Sequence, residues 1–387
     1  MHGISLFKNH KIAKESRHIL VVVSVRWQLA GFLMAARRHA PKKITIIKLR
    51  PFNITSSDFR AVDEINVSVI NAFGFHDIIS PGFFVGIKRS FLSFDRFRRE
   101  VLNNISHDNF VIITDNEHRA IEYFLRFCLA SISSMHVYGH GLVKRESDWR
   151  ALTMRTLKGI VRWNIFRVIT VLKYKKTLLI GNVINKQYYH VNINEKNNGC
   201  NISGDIFLYA NSLKFSEIQK DDSNVLIFFS SGAFRYSDDR FIRDTVAAYL
   251  ITKCYAEKNE MQLYVKLKEM ESKQYLIDAD KTLNLNQFIG GDLDFYDCIN
   301  NYHPQLLVCG DFSTIVAESS IYGVDVLMYQ CASPFIAVSH SEKWVDAGVE
   351  MITPDGIIRK NRGNIEELIK ELYNINGAKE HLEALSP

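Results

Sequence analysis

The sequence predicts an α/β protein built from two successive Rossmann-like halves, on three observations. Short apolar runs rich in β-branched residues recur along the chain. Stretches with helical spacing alternate with them, which is the βαβ signature of a parallel sheet. A polar segment rich in Asn and Gly divides the series in two.

Residues 18–24 (HILVVVS) read as a buried parallel strand. Residues 27–39 (WQLAGFLMAARRH) follow with helical spacing, and 43–49 (KITIIKL) as the next strand. Further strands are expected at 109–114, at 135–138 and at 177–180, with a helix over 117–129. Residues 192–205 read as a linker. The second series runs strand 224–229, helix 239–259, strand 262–267, strand 306–309, helix 313–322, strand 325–329 and a late helix at 365–373. Domains of 1–200 and 201–387 follow. Ligands of such sheets bind beyond the carboxyl ends of the strands.

Composition narrows the class. The chain has 387 residues, 47% hydrophobic and 23% charged, which suits a globular protein with two cores. Its six cysteines are scattered without a CxxC, and Cys254 and Cys309 lie in apolar surroundings, as expected of buried, reduced thiols. The first residues, MHGISLFKNHKIAKES, lack the apolar stretch of a signal peptide, and no apolar run approaches the roughly 18 residues of a membrane span. A cytoplasmic location is expected. The net charge of +6 is local: residues 144–176 hold ten Lys and Arg against Glu146 and Asp148. Interleaved apolar residues suggest an amphipathic helix on an anionic membrane surface, an acidic glycan contact, or a packed helix with a solvated basic face. Nucleic-acid binding is not expected, since no zinc-finger spacing or RNA-binding motif is present.

Loops after the strands supply the candidate chemistry. Residues 306–330 carry a strand, a Gly-Asp-Phe turn and the hydroxyl pair Ser313-Thr314 at a helix start, where backbone N–H groups suit a phosphate. Glu318 follows, placed to take a ribose hydroxyl. An ordinary capped helix accounts for the same residues. Ser230, Ser231 and Gly232 follow the first strand of the second half. Arg26 and Gln28 follow the first strand of the chain. Gly139-His140-Gly141 offers an imidazole that titrates near neutrality, flanked by glycines that admit close approach. His140 also reads as one loop histidine among thirteen. Asp115 and Glu117 are a second choice of base. Asp292-Leu293-Asp294 fits DxD by letters but has the Gly-Gly setting of a turn, and His303-Pro304 precedes a strand instead of following one. No metal-ligand cluster is evident, and no metal or other cofactor is expected.

The strand leading into Trp27-Gln28-Leu29, the Gly139-His140-Gly141 loop, the Val265-Lys266-Leu267-Lys268-Glu269 segment and the Ser313-Thr314 pair occur in an order that resembles bacterial sialyltransferases of the lipooligosaccharide and capsular polysialic acid type. The likeness spans most of the chain and rests on short motifs. It implies a GT-B-like fold, two Rossmann-like domains facing a cleft. It also implies transfer from a CMP-linked sialic or other ulosonic acid to a glycan or glycolipid acceptor. A single base with direct displacement gives the expectation of an inverting enzyme, the lack of a metal-ligand cluster that of a metal-independent one, and the basic stretch 144–176 that of a peripheral position on the inner membrane. His140 would be the base. Lys268, Ser313, Thr314, Glu318, Ser230, Ser231 and Gly232 would hold the donor. Arg26, Gln28, Gly139 and Gly141 would face the acceptor. Two departures stand out: His140 replaces the acidic-Gly base, and Lys268 stands where the family has His-Pro. A CDP-polyol phosphotransferase of related fold, and a glycan- or nucleotide-binding protein with a decayed site, are the alternatives.

Overall fold

A computed structural model describes residues 18–54, 56–73, 96–97, 99–105, 110–115, 132–139, 185–191, 201–214, 223–230, 239–268, 271–290, 293–311, 313–330, 341–353, 356–358 and 364–383. Two separate sheets organise these residues. The expected strand 177–180, the expected helix 117–129 and the basic stretch 144–176 lie outside them.

The first lobe holds β1 (His18–Val23), β2 (Lys43–Lys48), β3 (Asn66–Asn71), β4 (Phe110–Thr114), β5 (Ile132–Tyr138), β6 (Asn185–His190) and β7 (Asn201–Ile202). Their order is β3-β2-β1-β4-β5-β6-β7, and every pairing is parallel. All six residues of β1 are buried, because both faces of the sheet are covered. Leu20 and Val22 pack on one side with Phe97 and Val101. Ile19, Val21 and Val23 pack on the other under α1 (Trp27–Arg37).

The second lobe holds β8 (Val225–Phe229), β9 (Gln262–Lys266), β10 (Leu306–Gly310), β11 (Asp325–Tyr329), β12 (Glu350–Thr353) and β13 (Gly356–Ile358). Counted from β8, its parallel strands run 2-1-3-4-5, and β13 adds antiparallel to the edge. One face packs on α3 (Asp239–Lys258) and α4 (Gln274–Ala279) through Tyr249, Ala256 and Leu276. The other packs on α5 (Phe295–Tyr302), α6 (Ile315–Ile321), α7 (Ser341–Asp346) and α8 (Ile365–Tyr373). The expected fold, α/β with two Rossmann-like domains, is the observed one.

Two crossings join the lobes. Between β7 and β8 lies α2 (Ile206–Lys214), which places Leu208 in the second lobe's core and Phe207 and Tyr209 in the first lobe's. Asp205 caps it, accepting from the N–H groups of Phe207 (3.1 Å) and Leu208 (3.0 Å). The chain then returns: α8 packs on the second lobe, whereas α9 (Ile375–Glu383) packs Ala378 and Leu382 on the first. The crossings touch. Gly204 adopts φ +68°, and a Cβ there would lie 2.2 Å from the Asn374 carbonyl oxygen. Asn374, in the left-handed region at φ 48°, separates α8 from α9.

Several expectations need correction. Cys254 is exposed, not buried. The buried face of α3 passes through Thr245, Ala248, Tyr249, Thr252 and Ala256, and Cys254 falls off that stripe. Ser313 and Thr314 do not lie inside a helix; α6 begins at Ile315 and spans seven residues. The strands β3, β6, β12 and β13 and the helices α2, α4, α5, α7 and α9 were not expected, and β7 falls inside the expected linker. Asp294 is the N-cap of α5, in keeping with the turn reading. His303 closes the same helix in the left-handed conformation, φ 44°.

Candidate functional site

A parallel α/β sheet opens a crevice where neighbouring strands send their connections to opposite faces, outside the carboxyl ends. In the first lobe that switch point falls between β1 and β4, in the second between β8 and β10. The residues after these strands form the candidate site.

In the first lobe, Gln28 spans the switch point. Its Oε1 accepts from the Ser24 N–H (3.4 Å) and Oγ (3.3 Å), while its Nε2 donates to the Asp115 carboxylate after β4. A buried amide thus orients a carboxylate at the cleft edge. Gly139, after β5, donates its N–H to Tyr189 O (2.8 Å). His140 and Gly141 lie outside the described residues. At the end of β2, the buried Lys48 ammonium donates to Phe52 O and sits 4.6 Å from the Phe52 ring centroid. Burial lowers its pKa.

Arg26 connects the two lobes. It pairs with Asp58 (3.4 Å) of its own lobe and with Asp297 in the first turn of α5. The Asp58 side chain is 1% exposed and that of Asp297 22%, so one partner is fixed and the other faces the cleft. Burial opposes the Arg26 charge, but Asp58, Asp294 and Asp297 outweigh it and raise the pKa further. Asp297 serves twice. Oδ1 accepts from Arg26, and Oδ2 accepts from the Asp294 N–H (3.1 Å) in a capping box. Because α5 begins on the carboxyl side of its sheet, this pair apposes the carboxyl edges of both sheets.

In the second lobe, Ser230 follows β8. It is buried, accepts from the Lys268 N–H (3.1 Å) and donates to the Glu271 carboxylate. Glu271 also accepts from the Lys268 N–H (3.0 Å) and from Tyr275 Oη (2.7 Å). Burial first, then the Glu271 charge, pushes the Tyr275 phenol up, so it stays a donor. The Lys268 side chain is exposed. Lys266 beside it is buried and donates to Gly290 O (2.6 Å). Ser231 and Gly232 lie outside the described residues.

After β10, Asp311 N–H reaches Tyr329 O (3.0 Å) and Ser313 N–H reaches Gly310 O (2.9 Å). Ser313 Oγ accepts from the Ile315 N–H (3.3 Å), and Thr314 stands at the N-cap without a side-chain capping bond. Glu318 points inward. It is 5% exposed and helps to raise the buried phenols of Tyr296, Tyr322 and Tyr373, after the larger effect of burial. Among the described residues no group of three or more His, Cys, Asp or Glu is placed to hold a metal ion. Among them, too, no helix is long and apolar enough to cross a membrane.

No family model matches the chain, and no curated protein does. Among solved structures, it is similar to a UDP-N-acetylglucosamine 2-epimerase at 8% identity and a TM-score of 0.43, over 95% of this chain and 94% of the other. It is similar to a variant of Os79 from O. sativa in complex with UDP at 11% identity and 0.41, over 95% and 94%. A glycosyl transferase family 9 protein from Veillonella parvula overlays at 14% identity and 0.34, over 96% and 98%. The fold assignment rests on sheet order and register, not on these overlays.

The expected site residues therefore divide. Arg26, Gln28 and Gly139 lie on the first lobe's carboxyl edge, and Ser230, Lys268, Ser313 and Thr314 on the second's. Glu318 is turned into the core. Asp58, Asp297, Glu271 and Lys48 were not anticipated. Asp294-x-x-Asp297 did carry the spacing of a capping box, whereas Glu271 sits in a charged turn whose composition marks nothing.

Proposed function

We propose that the protein is a glycosyltransferase that binds a nucleotide sugar on the second lobe and an acceptor on the first. The reading is carried by one observation, the apposition of the carboxyl edges of the two sheets through Arg26 and Asp297. Crevices of this kind take nucleotides in open α/β sheets. The Lys268 ammonium, exposed beside Ser230, is suited to a donor phosphate as a point charge. Ser313 and Thr314 flank the next strand end.

His140, beside the anchored Gly139, would take the proton from the acceptor hydroxyl as its oxygen attacks the anomeric carbon. The bond from that carbon to the phosphate oxygen breaks, and Lys268 stabilises the charge left on the phosphate. One base and direct displacement give inversion. The donor we favour is a CMP-linked sialic or related ulosonic acid, on the motif order of the chain, and the acceptor a cell-surface glycan or glycolipid. The test is transfer from CMP-sialic acid by the wild type and by His140→Ala. Loss of transfer with nucleotide affinity retained supports the assignment. Unchanged transfer removes His140 from the chemistry.

A further inference from the structure

One carboxylate ties together three parts of the second lobe. Glu271 Oε2 accepts from Ser230 Oγ, at the end of β8, and from the Lys268 N–H (3.0 Å), after β9. Its Oε1 accepts from Tyr275 Oη (2.7 Å) in the first turn of α4. The Lys268 N–H is shared, since it also reaches Ser230 Oγ (3.1 Å). Backbone bonds close the same ring: the Ser230 N–H donates to Lys266 O (3.0 Å), and the Glu271 N–H to Lys268 O (3.0 Å). The ends of β8 and β9 and the start of α4 therefore meet on a single side chain.

The direction of these bonds separates the roles of the residues. Ser230 is buried, and a hydroxyl has one proton to donate; that proton goes to Glu271. The Lys268 side chain, in contrast, is exposed at the carboxyl edge of the sheet. A lysine carries its ammonium on a flexible four-carbon stem, and ordering such a side chain on a ligand costs affinity. The cost is smaller where the backbone beneath the side chain is already fixed. The Lys268 peptide is fixed on both sides, its N–H by Glu271 and Ser230 and its carbonyl oxygen by the Glu271 N–H.

We propose that Glu271 is a positioning residue of the donor site: it holds the Lys268 backbone against the end of β8, so that the ammonium is presented to the nucleotide phosphate. This role rests on the nucleotide-binding reading of the cleft and adds Glu271 and Tyr275 to it. Ser230 then acts through Glu271 and does not touch the donor. Tyr275 anchors the far oxygen of the carboxylate to α4. A site held by such a supporting layer keeps its geometry, and one without it loosens.

The test measures the dissociation constant of the full chain for CMP, or for whichever of CMP, CDP, UDP and GDP stabilises it most, by titration calorimetry. Lys268→Ala should weaken binding about tenfold or more, as the loss of a charged phosphate contact does. Glu271→Ala should weaken it about three- to tenfold, the ordering cost of one long side chain. Glu271→Gln keeps an acceptor for Ser230 and Lys268 and should restore most of the affinity. Ser230→Ala should weaken binding too, and the double variant Ser230→Ala/Glu271→Ala should be no worse than the weaker single one, because both residues act through one tie. Asp280→Asn is the control for stability. Asp280 stands at the opposite end of α4, where it accepts from Tyr249 Oη and Lys253 Nζ (2.8 Å each). It should lower the melting temperature and leave the affinity unchanged. If Lys268→Ala weakens binding while Glu271→Ala binds as the wild type does, the positioning role is overturned and the nucleotide reading stands. Tighter binding by Glu271→Ala also overturns it, since the carboxylate would then compete with the phosphate. Additive losses in the double variant place Ser230 on the donor and refute its action through Glu271. If no nucleotide binds, or Lys268→Ala binds as the wild type does, the nucleotide reading fails and this role with it. Should Glu271→Ala not fold, Tyr275→Phe decides: it removes one bond to the carboxylate and should weaken binding about twofold, and no change overturns the role.

Discussion

Gly204→Ala tests whether the two crossings form one packed joint. The added Cβ would lie 2.2 Å from Asn374 O, 2.5 Å from Ala378 N and 3.0 Å from Ala378 Cβ. Two of these are backbone atoms of the α8–α9 junction, so no rotamer change relieves them. The left-handed φ of +68° adds its own cost for an L residue, about 1–2 kcal/mol. Overpacking against backbone adds about 1–3 kcal/mol. The expected loss is about 2–5 kcal/mol, a large share of the roughly 5–15 kcal/mol that holds a typical domain. Gly377→Ala is the control. The three atoms nearest its Cβ would all belong to the Asn374 side chain, at 2.3–2.7 Å, whose end can turn away, and it sits in helical backbone. Helix propensity there favours Ala by about 1 kcal/mol, so the net change should stay within about 1 kcal/mol. Urea unfolding followed by tryptophan fluorescence gives both values. If Gly204→Ala unfolds with the wild type, or Gly377→Ala loses as much, the joint is not packed as described.

Other perturbations follow from the site and from a histidine cluster of the first lobe, in which His136 contacts Ser134 and Tyr189 and His381 contacts Arg38 and Tyr138. Arg26→Met takes a guanidinium away from the buried Asp58 carboxylate and should cost about 3–5 kcal/mol by urea unfolding. Asp297→Asn keeps the Arg26–Asp58 pair, should cost about 1 kcal/mol or less, and should raise the radius of gyration in small-angle scattering as the lobes part. Gln28→Leu strips Asp115 and Ser24 of a shared partner. A loss of about 1–3 kcal/mol is expected, with transfer reduced and nucleotide affinity unchanged. Acid should also destabilise the fold. Burial and nearby cations hold His136 at about 3 and His381 at about 4, whereas an unfolded imidazole titrates near about 6.5. Between these values the unfolded chain binds protons that the folded chain refuses, so stability falls as pH falls through that window. For His381 the loss is on the order of 2–3 kcal/mol by pH 4, after screening at its partly exposed ring. His381→Gln should flatten this limb in melts across pH; an unchanged slope excludes the cluster as its source.

The central strands of both sheets were legible because burial on two faces demands continuous apolar runs, as in HILVVV of β1 and VLIFF of β8. Strand β3 was not, since NVSVIN at a sheet edge is half exposed and reads as neither period cleanly. Of the expected linker, residues 192–200 lie outside the described residues, and Asn201–Ile202 form the edge strand β7 of the first sheet. The return of α9 to the first lobe left no local signal, because a helix face carries no label for the core it joins. Loop residues after strands were identifiable as candidates through topology alone. What they touch was not: Arg26 reads as a free cation in sequence, and only the fold brings Asp58 and Asp297 to it. Glu318 shows the converse, a carboxylate placed on a ligand-facing turn by spacing and turned inward among tyrosines by packing.

Thermal unfolding of the wild type and of Lys268→Ala with CMP, CDP, UDP and GDP, side by side, tests the nucleotide cleft most directly. Ligands that bind only the native state raise its melting temperature by mass action. The expected result is stabilisation by CMP above the others, lost in Lys268→Ala. A stronger response to CDP favours polyol phosphate transfer, and one to UDP or GDP a hexosyl donor on the same cleft. No shift with any nucleotide contradicts a donor site at these strand ends.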